Sequence, residues 1–147
     1  MSHTSEALPK YFSLDEANKT LPYVRRIVAD IVEEYRQWRE SIQHYELIAA
    51  RSRSDEGETE EQITLRQRVD DIARRINSYI EELSRVGCVF KGFEPGLVDF
   101  HSRLSGRDIL LCWQLGEPEI GHWHELDAGF GGRQPLVPEL VEGEREG

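Results

Sequence analysis

Apolar residues recur every seven positions through most of residues 12–87, and this spacing constrains the fold more than any other feature of the sequence. The first segment carries two such rows: Leu14, Leu21, Val28, Tyr35, Ile42 and Ala49, and Ala17, Val24, Ile31, Trp38 and Tyr45. A second segment follows the same rule: Leu65, Ile72, Tyr79 and Val86, and Val69, Ile76 and Leu83. Paired rows of this kind form the a/d seam of helices that pack side by side. The spacing therefore predicts two long helices.

The ends of these helices have sequence signals of their own. Ser13 and Glu16 have the spacing of a capping box, and Gly87 is the residue type best suited to end a helix. Pro22 lacks an N–H group and crowds the preceding turn, so we predict a short first helix and a new start at this residue. Because only a short polar segment joins the two heptad segments, we expect an antiparallel, coiled-coil-like hairpin over residues 12–87.

After the second heptad segment, the spacing of apolar residues changes to about two, which is the period of a strand. The pattern predicts strands at residues 88–90, 97–103, 107–115 and 120–125. Between the second and third strands, Leu104-Ser105-Gly106 suits a three-residue hairpin loop. The chain is thus predicted to be one α+β domain over residues 1–137. Its helical hairpin packs on a small antiparallel β-meander with a Gly-rich loop, which together take residues 88–137. Residues 138–147 are predicted to be a disordered acidic tail.

Composition excludes several classes of function. The longest apolar run, at 109–113, is far shorter than the ~20 residues of a spanning helix, so we expect no membrane partner. The 18 Lys and Arg residues lie scattered among 28 Asp and Glu residues, so we expect no nucleic-acid partner either. Much of the net charge of −10 comes from residues 54–61 and 139–147. Two cysteines and a polar N-terminus predict a cytoplasmic protein.

The sequence His122-Trp123-His124 is the sharpest candidate for a functional site. Alternate residues of a strand face the same side, so the two imidazoles can converge on a divalent metal of the zinc class. A third ligand is required, and we expect Asp99 or His101 to supply it. These four residues share one face if the turns pair Arg103 with Arg107 and Leu115 with Ile120. A one-residue slip in the second turn would instead place Cys112 opposite His124.

Other residues suggest further chemistry, and each has a plainer alternative. Glu117 lies on a turn beside the histidines and could act as general base toward a metal-bound water, or it could simply be solvated. Cys112 lies in an apolar run and is expected to be buried and inert, unless a neighbouring charge makes it a nucleophile. Arg133 follows the glycine-rich Gly129–Gly132 segment and could bind an anion, or it could pair with a carboxylate.

The heptad rows also support a different class of function. Tyr35, Trp38 and Tyr45 place bulky rings at seam positions, which suit an interface of several helices better than a seam of two. The alternative hypothesis is therefore a non-enzymatic interaction or scaffold module that uses the helical hairpin to form a homodimer or to dock a partner.

The chain also resembles a known family, the bacterial domain-of-unknown-function family 2203. The resemblance runs from residue 12 to about 136 and is carried by the segments 12–18, 21–22, 96–100, 111–113, 115–117, 123–125, 129–130 and 132–135. It implies a small soluble bacterial protein with no established activity. It also implies that the residues to watch are Asp99, Cys112, Glu117, His124 and Arg133. In that family the positions of His101 and His122 are not reliably histidine, so a family-wide site would use His124 with acidic or thiolate partners.

Overall fold

The computed structural model describes residues 9–51 and 57–136, and it contains the two long helices that the heptad spacing predicts. Helix α1 spans Leu14–Arg51 and helix α2 spans Glu60–Val86. The α+β class predicted from the sequence is confirmed, because these two packed helices precede a five-stranded antiparallel sheet.

Side-chain contacts between the helices show their relative direction. Arg75 of α2 donates to Glu34 of α1 at 3.0 Å, and Arg68 donates to Ser41 at 3.2 Å. Residue numbers rise in one helix as they fall in the other, so the two helices form an antiparallel hairpin. The predicted end of α2 is also present, since Gly87 has a φ of 113° and its N–H donates to the last turn.

The predicted break at Pro22 is wrong, because α1 continues through this residue without interruption. The ring of Pro22 lies on the exposed side of the helix, while its neighbours Leu21 and Val24 are buried in the core. A proline inside a helix removes one backbone hydrogen bond and crowds the preceding turn. Burial of the apolar rows on both sides of Pro22 outweighs this local cost, so tertiary packing overrides the propensity of one residue.

The five strands follow one another in the sheet in the order of the sequence, as a meander. Their bounds are β1 Val89–Gly92, β2 Leu97–Leu104, β3 Arg107–Gln114, β4 His122–Glu125 and β5 Gln134–Pro135. The predicted fourth strand is shorter than expected because Ile120 donates its N–H to the side chain of Asn18 and not to a neighbouring strand. The two-residue β5 was not predicted from the sequence.

The β2–β3 turn differs by one residue from the expected one. Leu104 pairs with Arg107, so the loop contains only Ser105 and Gly106. Both have positive φ angles, 53° and 78°. Positive φ at both central residues is the mark of a type I′ turn, whose twist matches that of the flanking strands. The register predicted from pairing Arg103 with Arg107 is therefore wrong, and Asp99 lies opposite Cys112.

The β3–β4 register is also shifted by one residue. His122 lies opposite Cys112, and His124 lies opposite Leu110. Neither the expected pairing of Leu115 with Ile120 nor the slip that would place Cys112 opposite His124 is present. Together the two shifts displace β4 by two residues relative to β2, so Asp99 and His124 still lie on one face as predicted, but the β3 residues on that face are different.

The two faces of the sheet have different residues. The face that packs on the helices, here called the helix face, carries Val98, Phe100, Ile109, Leu111, Trp113 and Trp123, all of which belong to the apolar core. The opposite face, here called the outer face, carries Asp99, His101, Leu110, Cys112, His122 and His124. Since side chains alternate along a strand, the register that buries the apolar set also groups the polar set.

The sheet covers only part of the helical hairpin. Ser41 is the last buried residue of α1, so the end of the hairpin beyond it has no fully buried side chain in α1. Within the described residues, no helix is long and apolar enough to cross a membrane. The predicted acidic tail lies outside the described residues, and the predicted domain boundaries stay predictions.

Candidate metal centre

Three adjacent strands each contribute one potential metal ligand to the outer face. Asp99 comes from β2, Cys112 from β3 and His124 from β4. One ligand atom from each residue lies within 4.8 Å of the other two. The three residues are only 3, 1 and 2% exposed. A carboxylate, a thiol and an imidazole buried together form a donor set that suits a divalent cation of the zinc class.

The hydrogen bonds of His124 indicate which of its ring nitrogens faces the cluster. Nδ1 lies 2.7 Å from the carbonyl oxygen of Glu125, which can only accept, so Nδ1 carries a proton and donates it. Nε2 lies 3.2 Å from a carboxylate oxygen of Asp99. In the neutral imidazole, Nε2 then has a free lone pair that points into the cluster. A backbone acceptor that fixes the tautomer in this way is the usual arrangement behind a histidine that binds a metal.

Asp99 also lacks the surroundings of an ordinary surface carboxylate. Its side chain is 4% exposed, and the ion-pair partner that the structure gives it is His124. An ionised carboxylate in the interior needs a compensating positive charge or several hydrogen bonds. Either a protonated His124 or a bound cation supplies that charge. A bound cation would be coordinated by His124 and Asp99 at once.

Burial, together with the negative charge of Asp99, raises the pKa of the Cys112 thiol to about 11. A thiol with this pKa stays protonated at neutral pH, which does not favour the alternative role of a free nucleophile. Binding of a metal ion displaces the thiol proton and turns the sulfur into a strong ligand. Cys88 is buried as well, and both cysteines are free thiols.

The other predicted ligands, His101 and His122, lie on the outer face but outside the three-residue cluster. The ring of His101 packs edge-on against Tyr11, with 6.0 Å between the centroids. His122 lies opposite Cys112, and its Nδ1 is 3.8 Å from a carboxylate oxygen of Glu117. Of the four residues that the sequence predicted as metal ligands, the structure thus brings Asp99 and His124 together.

Glu117 and Arg133 meet beside this cluster. Nη2 of Arg133 donates to both carboxylate oxygens of Glu117, at 3.0 and 2.8 Å. One of those oxygens also accepts from the backbone N–H of Gln114 at 2.9 Å, and the guanidinium lies 4.7 Å from the centroid of the Phe130 ring. The carboxylate partner that the sequence offered for Arg133 as the plainer alternative is therefore present. The roles of Glu117 as base and of Arg133 in anion binding stay predictions.

The strand geometry predicted from the sequence did not bring Asp99, Cys112 and His124 together, although the family resemblance implied a site of His124 with acidic or thiolate partners. The missing information was the length of the β2–β3 turn, which sets whether Cys112 points to the outer face or to the helix face. The dipeptide Ser105-Gly106 contains that signal, because a small polar residue followed by glycine is typical of a two-residue hairpin.

The fold and the site define an α+β protein with a candidate metal centre on the sheet face opposite its helices. The chain belongs to the family described as "Uncharacterized conserved protein (DUF2203)", whose model matches residues 10–136. This match confirms the resemblance seen in the sequence. No curated protein and no solved structure matches the chain. A function must therefore be argued from the site itself.

Proposed function

We propose that this protein binds one divalent cation of the zinc class through Nε2 of His124, a carboxylate oxygen of Asp99 and Sγ of Cys112. The observation that carries the proposal is the convergence of three buried ligand atoms, from three neighbouring strands, within 4.8 Å of one another. Strands hold their side chains more rigidly than loops do, which favours a defined coordination geometry.

The donor types decide which metal suits the cluster. A thiolate and an imidazole favour zinc and its neighbours in the transition series, whereas magnesium and calcium prefer oxygen ligands alone. The described part of the chain contributes three ligands to this cluster. Zinc sites with three protein ligands leave the fourth position to water or substrate, whereas purely structural sites fill all four positions.

The reaction class that such a site supports is hydrolysis by a metal-bound water, whose pKa the cation lowers toward neutrality. In this proposal Glu117 holds Arg133 in place, because its carboxylate already accepts three hydrogen bonds. The low number of cysteines predicts a cytoplasmic protein, and the cytoplasm is reducing. A reducing compartment keeps the Cys112 thiol available as a ligand.

Elemental analysis of untagged protein, purified without added metal, tests this proposal. We expect about one zinc-class ion per chain in the wild type and a loss of most of it in His124→Ala, because the imidazole is one of only three described ligands. His101→Ala is the matched control, since this histidine lies on the same face outside the cluster and its variant should keep the metal. Equal metal content in wild type and His124→Ala would contradict the site.

A second function, homodimerisation through the end of the helical hairpin, is favoured by a separate observation. Ile42, Tyr45 and Val69 occupy seam positions of the two heptad segments, yet all three stay only partly buried and line a shallow groove with Arg66. A second copy offers identical apolar rows in the same spacing, so two hairpin ends can pack as a four-helix bundle.

Sedimentation velocity at tens of micromolar tests this second function. We expect the wild type to sediment as a dimer and Val69→Glu as a monomer, because a charge at a seam position opposes burial. Tyr23→Glu is the control, since Tyr23 is 50% exposed on the part of α1 that lies before this end. A wild type that stays monomeric would contradict dimerisation.

A further inference from the structure

Two buried nitrogen atoms beside the metal cluster have no hydrogen-bond partner within the described residues. They are Nδ1 of His122 and Nε of Arg133. Nearly all buried polar atoms in proteins are paired, so two orphaned nitrogens at one place indicate an acceptor that the described residues do not supply. The side chain of Arg133 is 15% exposed and that of His122 is 36% exposed, so the place is recessed but reachable from solvent.

The orphaned nitrogens lie next to the proposed metal. His122 is directly opposite Cys112 in the β3–β4 ladder, and opposite residues of a pair project from the same face. Glu117 links the two orphaned groups, since its Oε2 is 2.8 Å from Nη2 of Arg133 and 3.8 Å from Nδ1 of His122. The positive charge of Arg133 also acts on the Cys112 sulfur.

The net charge of the metal centre and its neighbours indicates which kind of acceptor fits the site. A divalent cation bound to one carboxylate and one thiolate forms a neutral centre, and the pair of Glu117 and Arg133 is neutral as well. A neutral centre with an open position accepts a monoanion more readily than a dianion, because each additional charge must be removed from water. A carboxylate is a monoanion with two oxygens, so one oxygen can bind the metal while the other accepts from a nitrogen.

We propose that the outer face holds a carboxylate-binding subsite, in which one carboxylate oxygen takes the open metal position and the other accepts from Nε of Arg133 and Nδ1 of His122. This subsite rests on the proposed metal centre and names the substrate class of that centre, a small carboxylic acid. His122 takes the tautomer in which Nδ1 carries the proton. Glu117 lies on the same guanidinium, so it competes with the incoming carboxylate for Arg133.

Titration of acetate into the cobalt(II)-loaded protein tests the subsite, because the visible spectrum of cobalt responds to a new ligand. We expect a saturable spectral change in the wild type and about a tenfold weaker affinity in Arg133→Lys, since lysine keeps the charge but lacks the Nε–H donor. Arg103→Lys is the matched control, because Arg103 pairs with Asp108 near the far end of the sheet and its variant should titrate like the wild type. Phosphate in place of acetate should bind more weakly.

A second variant tests the subsite while Arg133 and its loop keep their sequence, so damage to that loop cannot explain the result. Glu117→Gln retains an oxygen for the N–H of Gln114 but removes the competing charge, so acetate should bind more tightly than in the wild type. Equal acetate affinity in wild type, Arg133→Lys and Arg103→Lys, or weaker binding in Glu117→Gln at full cobalt content, would overturn the subsite. Elemental analysis of each sample separates the two proposals, since a missing metal counts against the centre and a bound metal without an acetate response counts against the subsite alone.

Discussion

The middle of the outer face is buried to a similar degree as the helix face, but the physical cause of the burial differs. On the helix face, Trp113, Phe100 and Leu111 are 0 to 2% exposed and pack on apolar side chains of the helices. On the outer face, Asp99 and His124 are 3 and 2% exposed, yet both are polar. Apolar burial stabilises a fold without any ligand, whereas buried polar groups need partners for every donor and acceptor. The helix face therefore accounts for the fold, whereas the buried polar groups of the outer face are the basis for the proposed metal centre.

The largest expected effect is on the helix face, from Trp113→Ala. The indole is fully buried, and its Nε1 donates to the backbone carbonyl of Glu117 at 3.0 Å. We expect the free energy of unfolding to fall by about 3–5 kcal/mol, because the substitution leaves a large cavity. Urea unfolding with and without a chelator measures this, and the loss should be similar in both. A loss below about 1 kcal/mol would contradict the assignment of Trp113 to the core.

Removal of the metal should have a smaller effect, confined to the outer face. With free metal at about 100 times its dissociation constant, binding stabilises the native state by about 2.7 kcal/mol, and a chelator removes this stabilisation. Cys112→Ala lacks one ligand, so its unfolding curve should barely respond to the chelator. Cys88→Ala serves as the control, because Cys88 is buried outside the cluster and its variant should respond like the wild type. An equal chelator response in Cys112→Ala and the wild type would count against the cluster.

A pH-dependent effect, smaller for each pH unit than the effect of the metal, is expected from Cys88. Burial raises the pKa of this thiol from an ordinary value of 9.0 to about 12. The native thiol is protonated while the unfolded one ionises, so its stabilisation is complete below pH 9 and is lost as the pH rises toward 12. By linkage, the free energy of unfolding falls by about 1.4 kcal/mol per pH unit in that window.

The metal-free forms of the wild type and of Cys88→Ala isolate this contribution, because every other group titrates equally in both. The difference in the free energy of unfolding between the two proteins should be constant below pH 9 and should shrink above it. A difference that stays constant up to pH 11 would show that the thiol of Cys88 is not buried as described.

Sequence reasoning predicted the helix face better than the outer face, and the register explains why. The hairpin followed from the seven-residue spacing of residues such as Val24, Ile31 and Ile72, and the sheet followed from the change to a spacing of about two after it. Residue contacts on the outer face depend on turn lengths, and one residue reverses the direction of every side chain in a strand. Two one-residue errors left Asp99 and His124 on the same face, because a displacement of two residues preserves the face, but they placed Cys112 on the opposite face.

At Pro22, the conformational preference of a single residue led to a wrong prediction. Its propensity predicted a break, yet the apolar rows on both sides are buried and carry the helix through. A carboxylate partner for Arg133 was offered only as one alternative and Glu117 was not named, because the two residues are sixteen positions apart and no local signal indicates their contact. Packing between segments that are far apart in the sequence decides whether a helix continues and which charged residues pair. The sequence pattern of one segment gives no information about that packing.

X-ray absorption spectroscopy of the zinc-loaded protein tests the central claim most directly, because it measures the ligands of the bound ion without depending on activity. We expect a tetrahedral ion with one sulfur neighbour at about 2.3 Å, from Cys112, and nitrogen or oxygen neighbours at about 2.0–2.2 Å, from His124, Asp99 and a fourth ligand. The sulfur neighbour should vanish in Cys112→Ala. A zinc ion surrounded by oxygen and nitrogen alone in the wild type would contradict the three-strand site.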